Sequence, residues 1–311
     1  MKIVFMGTPD FAAKTLEVLQ KSSKHTIAAV VTQPDKPNGR GSHMQFSKVK
    51  ELALFCQLPI YQPKKVRAEE FVTILKEIAP DVIVVVAFGQ ILSKEILEIP
   101  KYGCLNVHAS LLPKYRGSAP IQWAIINDEK ETGITIMKLD TGVDTGDMIK
   151  KKVIPIDKKE TGESLFEKLS QLGGPMMLEV LDELEAGVAV FEKQEDALSC
   201  STKKLEKEMG NIDWSKSAKQ IDCLIRGLNP WPSAYTTLDG KILKIWDGNV
   251  LEQEYKGADG EVVRVEKGSF FVKTKKGVLE ILEVQLEGKK RMSTDAFLRG
   301  YHISVGTLLG K

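Results

Sequence analysis

At 311 residues the chain is long enough for two cores of ordinary size, because a single core stops growing at about 250 to 300 residues. Hydrophobic residues at 42% and charged residues at 28% exclude a disordered or fibrous chain, and a net charge of +2 declares no nucleic-acid partner without a local basic patch. The four cysteines, Cys56, Cys104, Cys200 and Cys223, make no CxxC pair and no zinc ligand set, so buried free thiols in a reducing cytoplasm are expected.

Ile3 to Met6 reads as a strand, with neither the apolar region of a signal peptide nor, further on, a run long enough to cross a membrane. A turn at Gly7 leads into a helical pattern from Phe11 to Leu19, with Asp10 as the expected N-cap. Ile27 to Val31, Val82 to Ala87 and Leu105 to His108 are further buried strands, separated by helical patterns at Val49 to Phe55 and Glu69 to Ile78. Alternation of this kind predicts a doubly wound α/β domain with a mostly parallel sheet over residues 1–188. A strand at Met148 to Ile154 and a helix from Ser164 to about Leu184 complete it.

Residues 189–209 are polar and lysine-rich, the composition of a linker. Beyond them a helix at Ala218 to Gly227 precedes five short strand patterns, at Ala234 to Leu238, Lys241 to Trp246, Gly260 to Val265, Phe270 to Thr274 and Val278 to Val284. Turn pairs such as Asp239-Gly240 and Lys276-Gly277 separate them, so a small, OB-like β-barrel is expected over 210–311. Lys273, Lys275, Lys276, Lys289, Lys290 and Arg291 form either a basic stripe or solvated hairpin tips, and Trp214 and Trp231 read as packing residues.

The first domain carries the chemistry. Gly7 stands without the rest of a GxGxxG pattern, and no acid ends the second strand at Thr32-Gln33, which argues against a nicotinamide cofactor. Asn106, His108 and Ser110 alternate, and all three point one way if the strand continues past His108. The acidic loop from Asp140 to Asp147 offers carboxylates but lacks the twelve-residue calcium pattern, so no metal is expected.

Moving a one-carbon acyl group between nitrogens needs a free attacking amine, donors for the tetrahedral oxyanion and a proton for the departing nitrogen. Asn106 and a protonated His108 can serve the oxyanion, while Asp144 can orient His108 and accept the amine's proton. A hydrolase triad of Ser110, His108 and Asp144 competes, but Ser110 lacks the G-x-S-x-G elbow.

At these residues the chain resembles the folate-dependent formyltransferases. The likeness is carried by Gly7-Thr8-Pro9-Asp10-Phe11, Gln33-Pro34-Asp35-Lys36-Pro37, Gly39-Arg40-Gly41, Val84 to Gly89, Asn106 to Gly117 and Ala119 to Gln122. It continues through Gly133 to Ile136, Asp140 to Asp147, Ile212-Asp213-Trp214 and Asn229-Pro230-Trp231-Pro232, so that it covers nearly the whole chain. The resemblance implies the superfamily's Rossmann-like catalytic fold and transfer of formyl from 10-formyltetrahydrofolate to the α-amino group of methionyl-initiator tRNA. Asn106, His108 and Asp144 match the catalytic three. Ser110, Leu111, Leu112 and Pro113 match a folate-contacting turn, and Phe88, Gly89, Gln90, Ile91, Leu92, Asp140 and Val143 match the walls of a pterin pocket.

Lys36 and Arg40 match a loop that engages the acceptor stem, although Ser42 to Phe46 departs from that loop's more basic pattern. The chain is expected to work as a cytoplasmic monomer with no membrane partner. Three alternatives stay open from the residues: formylation of a nucleotide-linked amino sugar, a formyltetrahydrofolate hydrolase module, and an RNA-binding module without activity.

Overall fold

In the computed structural model residues 1–37 and 44–310 are described. The helices are α1 (Asp10–Gln20), α2 (Lys48–Phe55), α3 (Glu69–Ile78), α4 (Lys94–Leu97), α5 (Pro120–Ile126), α6 (Gly162–Glu185), α7 (Ala218–Gly227) and α8 (Thr294–Gly300). The chain forms two compact units, each discontinuous in sequence. The first comprises Met1–Gly117, Thr132–Ile154 and Phe166–Ser201; the second comprises Ser118–Glu131, Pro155–Leu165 and the chain from Thr202 onward.

Seven strands make the sheet of the first unit: β1 (Lys2–Gly7), β2 (Thr26–Val31), β3 (Ile60–Tyr61), β4 (Val82–Val86), β5 (Cys104–His108), β6 (Glu131–Lys138) and β7 (Met148–Pro155). Their order is β3-β2-β1-β4-β5-β6-β7, doubly wound as the sequence predicts. Strands β1 to β5 pair in parallel, while β6 runs antiparallel to β5. The apolar runs of β1 and β4 are buried along both faces, which is why they show no polar alternation.

Close approach explains three glycines. A Cβ on Gly7 would lie 2.6 Å from the Ala12 Cβ and 2.9 Å from the Val86 carbonyl oxygen, so the turn from β1 into α1 has no room for a side chain. Gly173 and Gly174 let α6 lie against Val107 and Val18, within 2.8 and 2.7 Å of where their Cβ atoms would be.

Three local expectations change. Pro9, not Asp10, occupies the N-cap of α1, and Asp10 lies in the first helical turn, where its charge suits the helix dipole. Strand β6 and helix α5 were not anticipated as elements. Thr132, Gly133 and Thr135 break the apolar run of β6, yet all are buried; the Thr135 hydroxyl donates to the Ser110 carbonyl at 2.7 Å and accepts from the Leu112 amide at 3.1 Å. Finally, the expected linker is not a free connection over its first part, because residues up to Ser201 belong to the first unit.

The second unit carries six strands rather than five: β8 (Ala234–Leu238), β9 (Lys241–Leu251), β10 (Val262–Val265), β11 (Phe270–Lys273), β12 (Val278–Leu286) and β13 (Met292–Ser293). The order is β8-β9-β12-β11-β10, all antiparallel, with β13 beside β12. Strand β9 is longer than expected because register shifts at Ile245 to Gly248 let it bend without breaking its ladder to β12. Asp239 and Gly240 both have positive φ, 49° and 73°, as the two-residue hairpin from β8 to β9 requires.

The C-terminal segment bonds to both edges of this sheet. The Thr307 carbonyl accepts from the Val262 amide at 2.8 Å, and the Gly310 amide donates to the Thr237 carbonyl at 3.0 Å. Helix α7 begins on a reciprocal capping box between Ser217 and Gln220 and buries Ile221 and Ile225 in the core with Trp214, Leu243, Phe270 and Leu279. Trp214 therefore packs as expected. Trp231 does not: it stands between Pro230 and Pro232 and is 52% exposed.

Candidate active site

Strand β5 delivers Asn106 and His108 on one face, and both are nearly buried, at 9% and 6% exposure. The strand then ends, so the condition under which Ser110 would share their face is not met. Ser110 is fully buried, and its hydroxyl donates to the Lys114 carbonyl at 2.7 Å, closing the turn that contains the cis Leu112-Pro113 bond. An Oγ so engaged is no exposed nucleophile. The Asn106 carboxamide makes no hydrogen bond among the described residues and is left available.

The imidazole is oriented by the backbone. His108 Nε2 lies 2.9 Å from the Tyr115 carbonyl oxygen, which can only accept, so Nε2 carries a hydrogen and donates. Nδ1 then faces Asp144 Oδ2 at 3.6 Å, beyond hydrogen-bond length. With Nε2 held by the backbone, Nδ1 is the ring atom left for chemistry beside the Asp144 carboxylate. Asp144 Oδ2 also accepts the Gly117 amide at 2.8 Å.

The acidic loop reaches His108 by an indirect course. Because β6 runs antiparallel, Lys138 pairs with Leu105 and the Leu139 amide bonds to the Cys104 carbonyl, at the start of β5. The loop must double back along about 13 Å of strand, four residues at roughly 3.3 Å each, to bring Asp144 to the far end. Asp144 adopts left-handed backbone (φ 53°), and Gly146 passes so close to Lys138 that a Cβ there would lie 1.8 Å from its carbonyl oxygen. Asp140 accepts from the Gly142 amide at 2.9 Å and the Thr145 hydroxyl at 2.7 Å, which gives that carboxylate a part in shaping the loop.

One residue that the sequence did not single out grips this loop. Gln194 Nε2 donates to the carbonyls of Asp144 at 2.9 Å and Gly146 at 2.8 Å, and its Oε1 accepts from Arg116 Nε at 2.9 Å. Arg116 also bonds Asp196 at 2.9 Å, and Cys200 accepts the Tyr115 amide at its sulfur, 3.2 Å away. The only signal was a lone glutamine in a lysine-rich stretch that read as a linker.

The residues matched to a pterin pocket divide in two. Phe88 and Leu92 lie in the hydrophobic core with Val4, Val31 and Phe71, and Leu112 is buried against Met137 and Met148. Gln90 is committed to the backbone of Val66 and Pro63. Ile91 and Val143, at 79% and 64% exposure, are free apolar surface, and Leu111 and Pro113 are half-buried. Gly89 holds its turn with φ 81°.

Of the residues matched to RNA contact, Lys36 lies in a two-residue strand, Lys36–Pro37, paired with Met44–Gln45, and Arg40 lies outside the described residues. The base of this connection is tied by Asp35, which pairs with Lys50 and accepts from Gln62 at 2.9 Å. Burial works against the Asp35 charge, but the hydrogen bonds from Lys50 and Gln62 and the Lys50 charge outweigh it, leaving the carboxyl below its usual range. In the second unit Lys273 is paired with Asp259 and Arg291 with Glu283, so these two of the six basic residues are already neutralised.

The cysteines are all free; burial pushes the Cys104 thiol up to about 12, whereas Cys200 is exposed, contrary to the uniform burial expected. Among the described residues no three His, Cys, Asp or Glu side chains gather as a metal site, and no helix is long and apolar enough to cross a membrane.

Known proteins bear on this site. Residues 1–181 match the family described as formyl transferase, and residues 204–302 match its C-terminal domain. A methionyl-tRNA formyltransferase of Agathobacter rectalis is 50% identical over 307 residues, covering 99% of each chain. One from Geotalea uraniireducens is 51% identical over 311 residues, covering 100% of this chain and 98% of its own. Among solved structures, WlaRD, a sugar 3N-formyl transferase, superposes with a TM-score of 0.68 at 21% identity, covering 93% of this chain and 99% of its own. An N-formyltransferase of Helicobacter canadensis, solved with folinic acid and dTDP-3-aminofucose, gives 0.66 at 18% identity, covering 90% and 98%. At such identities these structures speak for the fold alone.

Proposed function

Because the chain belongs to the methionyl-tRNA formyltransferases, we infer that its Asn106, His108 and Asp144 form the centre that carries out the family's reaction. The enzyme transfers the formyl group of 10-formyltetrahydrofolate to the α-amino group of methionyl-initiator tRNA, for translation initiation. The observation that carries the site assignment is the His108–Asp144 pair, 3.6 Å apart, beside the unbonded carboxamide of Asn106.

In this reading the amine attacks the formyl carbon directly. A new N–C bond forms, the carbonyl pair moves onto oxygen, and the Asn106 amide and the Nδ1–H of a protonated His108, whose Nε2–H stays on the Tyr115 carbonyl, donate to the resulting oxyanion. Asp144 accepts the proton released by the amine, directly or through a bridging water. Collapse of the intermediate breaks the bond to N10 of the folate, and that nitrogen takes up a proton as it leaves. Nothing covalent forms on the protein.

The folate seats its pterin against Ile91 and Val143, with Gly89, Asp140 and the turn from Ser110 to Pro113 beside it, while Phe88, Leu92 and Leu112 support these walls from the core. An apolar wall with few directed polar groups suits a flat heterocycle. No metal is assigned. The 1–188 stretch carries the catalytic groups, the 189–209 segment connects it onward with its first part, to Ser201, belonging to the first unit, and 210–311 acts as an OB-like barrel that binds tRNA; the edge bonds of the Thr307 to Gly310 segment support a closed barrel. Lys36 and Arg40 contact the acceptor stem. The enzyme works as a cytoplasmic monomer.

The test is to incubate the protein with 10-formyltetrahydrofolate and a panel of acceptors: methionyl-initiator tRNA, methionyl-elongator tRNA, nucleotide-linked amino sugars and water. Formylation of the initiator tRNA alone is expected. Turnover with an amino sugar, or hydrolysis at a comparable rate, would overturn the reading.

A further inference from the structure

We propose that Gln194 is a positioning residue for Asp144, holding the acidic loop in the doubled-back course that brings the carboxylate to His108. The proposal rests on the catalytic role inferred above for Asp144.

The loop needs such a hold. It starts at the wrong end of β5, it carries a left-handed aspartate, and Gly146 is pressed against the Lys138 carbonyl. Each of these disfavours the observed course over a relaxed loop, so bonds from elsewhere must fix it. Gln194 provides them at the required place, because its two amide hydrogens go to the carbonyls on either side of Thr145, those of Asp144 and Gly146.

The carboxamide can take one orientation only. Turned over, its oxygen would face two carbonyl oxygens and its NH2 would face the Arg116 guanidinium, losing all three hydrogen bonds. Arg116 thus sets the amide, and the residue after it, Gly117, holds the Asp144 carboxylate by its own N–H. A ring of contacts results, from Gln194 to Arg116, along the chain to Gly117, across to the Asp144 side chain and from the Asp144 backbone to Gln194. One end of the ring fixes the loop backbone, the other the carboxylate.

Core packing does not account for Gln194. Its neighbours Glu192, Lys193, Glu195 and Asp196 are exposed, and no strand of the sheet contains it. Replacing it should therefore leave the fold intact.

The experiment compares Gln194→Ala and Gln194→Glu with wild type and with Asp144→Asn, measuring kcat, KM for both substrates, the pH profile of kcat and the melting temperature. Gln194→Glu keeps an oxygen for Arg116 but has no hydrogens for the loop. Both Gln194 variants should lose kcat about ten- to a hundredfold, the scale expected when a reacting group is displaced by about 1 Å, with both KM values within severalfold of wild type. The acidic limb of the profile should move in both, because the carboxylate has left its place beside His108, and melting should change little.

Wild-type kcat and an unmoved profile in either variant, with Asp144→Asn inactive, would overturn the proposal and leave the site reading standing. Full turnover by Asp144→Asn would overturn the site reading itself.

Discussion

The end of β5 and the acidic loop supply the two halves of one site by different means. Asn106 and His108 are placed by a sheet: β4 and β6 flank their strand, α6 lies against Val107, and the carbonyl of Tyr115 sets the ring. Asp144 is placed by individual hydrogen bonds to a loop with a left-handed residue and a glycine that tolerates no side chain. The first arrangement is cooperative with the fold, and the second is separable from it. Damage near His108 should therefore appear as lost stability, and damage near Asp144 as lost rate.

The groups themselves come first. His108→Ala and Asp144→Asn should each lower kcat by about a thousandfold or more with initiator-tRNA binding nearly intact, since general acid–base and oxyanion contributions are lost together; single-turnover assays paired with filter binding read both. Next, Gly146→Ala should cut kcat by roughly a hundredfold through the clash with Lys138, while changing the melting temperature far less than the rate. Val107→Ala is the converse, costing about 2 kcal/mol in denaturant unfolding through lost buried methyls, with kcat kept within severalfold. If Val107→Ala impaired rate and Gly146→Ala did not, the division between the two regions would be wrong.

A third kind of anchor, by charge, holds the connection that starts at Gln33. Lys50→Met leaves Asp35 with a largely buried carboxylate and should cost about 2 kcal/mol at neutral pH. Since the folded pKa of Asp35 is depressed, the stabilisation is present above the ordinary carboxylate range and is lost as pH falls through the folded value. Wild type and variant should accordingly converge as the pH falls below the ordinary carboxylate range; a gap that stays constant through that whole fall would show that Lys50 acts through packing over Phe46 instead. The smallest effect belongs to Ser110→Ala, about 1 kcal/mol for one hydrogen bond and a rate within a few fold. A trapped acyl-serine in the wild type would contradict that.

Much of this was written in local patterns. Apolar runs marked β1 and β4, and a short helix was expected where α7 lies. The meeting of His108 with Asp144 was expected because an imidazole on a strand face and a carboxylate in a glycine-rich loop have a use together that packing does not supply, and the two lie 3.6 Å apart. Strand β6 was not legible, since its buried threonines satisfy backbone groups of a distant turn that the sequence does not display. Gln194 was hidden for the same reason: its partners lie 48, 50 and 78 residues away, and a polar surface segment looks identical whether or not it grips anything. Phe88, Leu92 and Leu112 lie in core clusters, for a motif records which residues line a region without recording which way each side chain turns.

The position of Gln194 along the chain matters to anyone who would take this protein apart. It falls between the segments that match the two family models, which end at residue 181 and resume at 204. A fragment cut after Gly187 would contain every strand of the α/β sheet and all three candidate catalytic residues, and would lack the clamp on the acidic loop. Such a piece could bind folate and still be slow, and its slowness would be mistaken for a missing RNA domain. Cutting after Ser201 instead keeps the clamp, so the two fragments side by side would separate the contribution of a fourteen-residue tail from that of the rest of the chain.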